Sequence, residues 1–127
     1  MMGEEQNSDP FKICTLCGHT WNLRADFLSD PDVVLKGYQA NFEVLSEGLF
    51  LFNHDVPNCR TALAIDVASL ADLYTGPIFP ERKLETAFCP GYCLHRQSLG
   101  SCNNECECAF IRVLLQIIRN WPKENRL

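Results

Sequence analysis

From residue 34 to residue 45, apolar and polar positions alternate with a period of two. Val34, Lys36, Tyr38, Ala40, Phe42 and Val44 lie on one side, and Leu35, Gly37, Gln39, Asn41, Glu43 and Leu45 on the other. One mostly apolar face at that period predicts a half-buried strand. Ser46-Glu47-Gly48 predicts a three-residue hairpin loop, with glycine where a left-handed backbone is wanted. The near-continuous apolar run 49–53 predicts a return strand buried on both faces, and 61–67 predicts a third strand. The middle of the chain therefore reads as an antiparallel meander. Asp66 is placed to cap a short helix reaching Tyr74, with Val67, Leu70 and Leu73 inward and Gly76-Pro77 as its stop. Near the C-terminus Phe110, Val113, Leu114, Ile117, Ile118 and Trp121 recur at steps of three and four, with Arg112, Gln116, Arg119 and Asn120 opposite. That pattern predicts an amphipathic helix starting near Asn104 or Glu105 and stopped by Pro122. A three-stranded sheet needs cover, so the helix is expected on its open face, giving an α+β fold. Residues 22–32 read as a polar connector, 77–86 as a loop or irregular edge strand, and 1–10 as a flexible tail.

Eight cysteines are laid over this pattern. Cys14-Thr-Leu-Cys17-Gly18 is a C-x2-C-G turn that can aim both sulfurs at one ion while its amides hydrogen-bond the thiolates. Over about eight residues it resembles the knuckle of zinc ribbons and rubredoxins, and the resemblance implies a zinc or iron site. Gly18 separates Cys17 from His19, which excludes a c-type haem attachment motif. A thioredoxin-type pair would want a helix directly after it. His54 and Cys59, in the loop after the second strand, are the expected completion, so Cys14, Cys17, His54 and Cys59 form one candidate ligand set. His19, or a cysteine crossing over from the later group, is the alternative fourth donor.

The remaining five cysteines crowd into the twenty residues from Cys89 to Cys108. Cys89, Cys93, Cys102 and Cys106 are the candidate ligands of a second site, with His95 beside them. Cys106 is expected in the first turn of the terminal helix, where the partial positive charge lowers a thiol pKa. Cys108 would then point almost the opposite way, as a buried or reactive surplus thiol.

Composition narrows the function classes. With 127 residues, 46% apolar and 21% charged, the chain is expected to fold as a single domain. A net charge of −5 gives no pull toward nucleic-acid phosphates, and no stretch approaches the ~18 apolar residues of a membrane span. The polar, acidic start is not a signal peptide, so a cytoplasmic location is expected, where thiols stay reduced and serve metals sooner than disulfides. There is no Gly-rich phosphate loop, no G-x-S-x-G and no H-E-x-x-H, and no catalytic residue is assigned. The expected cofactor is zinc, one or two ions, with an iron–sulfur cluster as the alternative, although the C-x3-C and C-x8-C spacings match no ferredoxin run. The expected function is a small metal-binding protein with structural ions, acting in protein interaction or regulation. Its partner would be another protein or a second copy in a homodimer, with neither nucleic acid nor membrane. Two alternatives stand beside it. One is an iron–sulfur or thiol-based redox or gas sensor. The other is an enzyme with an open zinc position and Glu43 or Asp55 as base.

Overall fold

The computed structural model describes residues 9–79, 91–100, 102 and 106–124. The expected tail over 1–8, most of the loop 77–86, Cys89, and the expected helix start at Asn104 or Glu105 lie outside the described residues. The chain enters through a small antiparallel hairpin of β1 (Lys12–Ile13) and β2 (Thr20–Trp21), pairing Lys12 with Trp21 and Ile13 with Thr20. Its tip is the C-x2-C-G turn. There the Cys14 amide donates to the His19 carbonyl and the Gly18 amide to the Cys14 carbonyl, each at 2.8 Å. Gly18 takes φ +81°, a left-handed conformation that its missing Cβ permits.

The expected connector contains a short helix, α1 (Arg24–Ser29), which buries Phe27 and Leu28. Two adjacent apolar residues make no period, so the pattern conceals it. The Asp26 carboxylate accepts the Leu23 amide at 3.2 Å, and the helix stops at Asp30, whose extended ψ of 119° suits a residue before proline.

The meander is present as an antiparallel sheet in the order β3 (Val33–Gln39), β4 (Leu49–His54), β5 (Ala62–Asp66). Three details depart from expectation. The strand expected to reach Leu45 ends at Gln39, because the Asn41 side-chain oxygen captures the amides of Glu43 and Val44, both at 3.0 Å. A 3₁₀ turn at Leu45–Glu47 follows in place of a three-residue loop. The register shifts between Leu35 and Gly37, and this bulge moves the inward phase from Val33 and Leu35 to Tyr38. β4 is not buried on both faces: Phe50, Phe52 and His54 are buried, while Leu49, Leu51 and Asn53 are half-exposed. Across the ladder Phe50 sits between Tyr38 and Ile65, and Phe52 between Leu35 and Leu63.

The single helix expected after β5 is two 3₁₀ turns, Val67–Ser69 and Ala71–Leu73, broken at Leu70 with ψ −1°. The Ser69 hydroxyl donates to the Asp66 carboxylate, the local bond that polar side chains offer in place of a helix ladder. Val67 and Leu70 are buried as expected.

The terminal helix, α2 (Ala109–Arg119), begins later than expected, so Cys106 lies in a preceding turn and Cys108 at the cap. Its buried stripe is Ile111, Leu114, Leu115 and Ile118, rotated from the expected one, and Val113 is 40% exposed. Arg112, expected in solvent, is buried. Its guanidinium donates to the carbonyls of Ser98 at 2.7 Å and Gly100 at 2.6 and 3.0 Å. The buried side chains of α1, α2 and both sheets form one cluster. Beyond α2 the Lys123 ammonium donates to the carbonyls of Leu28 at 2.7 Å and Val33 at 3.0 Å, and the Glu124 amide to Ser29 at 2.7 Å. These contacts clamp the end of the chain on the corner between α1 and β3. No helix among the described residues is long and apolar enough to cross a membrane.

Candidate metal centre

Four side chains, from the hairpin tip, the end of β4 and the loop after it, meet beside that corner. The hairpin tip supplies Cys14 and Cys17. β4 delivers His54 at its last position, opposite Val33, with its amide bonded to the Thr61 carbonyl at 2.9 Å. The loop 55–61 then turns back with Asn58 at φ 70° and Arg60 at φ 55°, two left-handed non-glycine residues on either side of Cys59. Such residues are sparse and concentrate where the surrounding structure imposes them. Here they turn Cys59 toward the hairpin tip.

Cys14 Sγ lies 3.5 Å from Cys59 Sγ. His54 Nδ1 lies 3.6 Å from Cys17 Sγ and 3.5 Å from Cys59 Sγ. All four ligand atoms fall within 4.8 Å of one another, so the group can hold a metal ion. Bonds of about 2.3 Å to sulfur and 2.0–2.1 Å to imidazole would set tetrahedral edges of about 3.8 Å between sulfurs and about 3.6 Å between sulfur and nitrogen. These three separations match those edges to within a few tenths of an ångström.

The electrostatics favour a thiolate at one pole. Burial opposes ionisation of Cys14, but the Cys17 amide, His54, the Leu16 amide and Cys59 all hydrogen-bond its sulfur and bring its pKa down to about 6. Cys59 is pushed up, by burial first and then by the neighbouring Cys14 and Cys17 sulfurs. Cys14 and His54 are buried, whereas Cys17 is exposed.

Around the donors, the Trp21 ring meets the His54 ring edge-on at 4.9 Å, and its Nε1 donates to Asp30 Oδ2 at 2.9 Å. Asp30 also accepts the Asp32 amide at 2.8 Å, which fixes the corner on which the indole leans. These supports were not singled out in the sequence. His19 is exposed, with its ring 4.6 Å from Trp21, and stands outside the four-residue group. Glu43 and Asp55 are exposed carboxylates outside it as well.

Among the described residues, Cys93, Cys102, Cys106 and Cys108 do not join this group. Cys93 and Cys106 are instead brought to Cys108, while Cys102 is half-buried and His95 exposed. The hydrogen bond from Cys108 lowers the Cys93 thiol to about 6 against the effect of burial, helped by the charge and hydrogen bond of Arg112. Cys108 is raised by that same bond to Cys93, by burial and by Cys106. None of the seven described cysteines is in a disulfide. Comparison with protein-family models, curated proteins and solved structures found no match to this chain, so the geometry alone carries the functional argument.

Proposed function

We propose that this chain is a small zinc protein whose ion, held by Cys14, Cys17, His54 and Cys59, is structural, and that it acts in protein interaction or regulation. The observation that carries the reading is the four-donor group, whose atoms all lie within 4.8 Å of one another and three of whose separations are close to tetrahedral edges. Three sulfurs and one imidazole suit zinc, and they would be poor hosts for calcium or magnesium, which take oxygen donors. With four protein donors the coordination shell is closed, which favours a structural ion over an open catalytic position. A histidine among the donors speaks against an all-thiolate iron–sulfur cluster at this place. The proposed location is the cytoplasm, where thiols remain available to metals. The partner would be another protein or a second copy. Ile13, Leu16 and Leu23, all exposed on the hairpin and its exit, support such a contact. Elemental analysis with native mass measurement tests the reading: tightly held zinc is expected, with one ion fewer in Cys59→Ser. A colourless, metal-free protein that folds cooperatively would overturn it, and so would a brown protein carrying sulfide.

A further inference from the structure

The four donors of the metal centre are not shielded alike. Cys14 and His54 are buried, Cys59 is half-buried and Cys17 is exposed. A cleft of about 370 Å³ opens on this outer side, with Cys17, His19, Asp32 and His54 on its walls. A small molecule can therefore reach thiolate sulfur here, and accessible thiolates are the ones that oxidants find.

The sulfurs are also placed to react with one another. Cys14 Sγ and Cys59 Sγ stand 3.5 Å apart, and a disulfide bond is about 2.05 Å long. An approach of about 1.5 Å closes that gap. Cys14 belongs to the hairpin tip and Cys59 to the loop 55–61, so a bond between them would join the same two segments that the ion joins. The described cysteines are all free thiols, so both partners are available.

We propose that the metal centre is a redox switch: hydrogen peroxide converts it to a Cys14–Cys59 disulfide, and the ion is released. This rests on the zinc reading given above. A thiolate sulfur takes one peroxide oxygen, the S–O bond forming as the O–O bond breaks, and hydroxide leaves. On Cys59 the resulting sulfenic acid faces Cys14, whose thiolate displaces a second hydroxide and forms the S–S bond. Two thiolates together lose two electrons, and the peroxide, with two protons from solvent, becomes two waters. Oxidation that begins on exposed Cys17 reaches the same bond by exchange. Cys59 captures Cys17, Cys14 attacks Cys59, and Cys17 leaves as a thiolate that water can solvate. Cys17 and His54 are then the donors that remain, half of the shell a structural zinc requires.

The test treats the zinc-loaded full chain with hydrogen peroxide, counts zinc by native mass measurement before and after, and maps disulfides after alkylation and trypsin. Cleavage after Lys12, Arg24, Lys36 and Arg60 leaves Cys14 and Cys17 on peptide 13–24 and Cys59 on peptide 37–60. Loss of one ion is expected, with the two peptides joined and fragmentation placing the bond on Cys14. A thiol reductant with added zinc should restore the ion. An ion that stays in place under peroxide overturns the proposal and leaves the zinc site standing. So does peptide 13–24 closed on itself by a Cys14–Cys17 bond, a final bond from Cys17 to Cys59, or sulfinic and sulfonic acids in place of a disulfide. A wild type that holds no more zinc than Cys59→Ser before any peroxide is added refutes the site itself, and the switch with it.

Discussion

Cys14 and His54 are 0% and 3% exposed, and Cys17 on the same group faces solvent. Losing an inner donor therefore leaves a buried, incomplete site as well as a weaker ion. His54→Ala should release the zinc and lower stability by several kcal/mol, since metal affinity in a small domain is folding free energy. Thermal unfolding with the bound zinc counted is the check. Trp21→Phe keeps an aromatic ring near His54 but removes the indole donor to Asp30 and part of a buried ring. It should cost about 2–4 kcal/mol, from an acceptor left short and a cavity beside Phe27, and retain the ion. At this scale much was legible. Cys14 and Cys17 declare themselves by spacing, and His54 with Cys59 by flanking the turn after an apolar strand, across from an unfilled pair. Trp21 and Asp30 did not, because their contact depends on α1, which has no periodic signature.

Among the elements, the sheet was readable because period two survives in a single sequence, and the strand order follows from short connections. The phase of β3 was not readable. A bulge at Lys36 costs nothing in composition, yet it moves every later side chain to the other face. The stripe of α2 is rotated by about one residue from the pattern because the carbonyls of Ser98 and Gly100 receive the Arg112 guanidinium and let a charged side chain face inward. Two substitutions probe these elements. Gly37→Ala would place a Cβ 2.6 Å from the Arg96 carbonyl oxygen, so β3 and the segment 92–96 must part. A loss of about 1–3 kcal/mol is expected, with faster hydrogen exchange at the Tyr38 amide. Arg60→Gly removes the Cβ from a left-handed position at φ 55°. The relief, roughly 1–2 kcal/mol, is partly offset by the freer unfolded chain, so denaturation should show a small gain or none, with zinc unchanged.

For the whole molecule, the α+β arrangement was legible, but the way its ends are joined was not. Hydrogen bonds between residues some 90 positions apart leave no local trace, and Lys123 reaches Leu28 and Val33 across such separations. Truncation after Trp121 removes both of these bonds and the Glu124 amide bond to Ser29. It should lower the urea midpoint by the equivalent of about 2 kcal/mol, three hydrogen bonds at modest net value. The same cut should loosen the corner that carries Asp30 and leave the four donors in place. Unchanged zinc content with a reduced midpoint is the expected pair of results.

The edge-on contact of Trp21 with His54 also makes the molecule its own optical gauge. The chain has two tryptophans, and Trp121→Phe would leave Trp21 as the sole indole emitter. Trp21 is buried with its ring 4.9 Å from an imidazole that either carries a divalent cation or does not. Its emission should then follow occupancy of that site in real time, step for step with zinc taken up by a chelator.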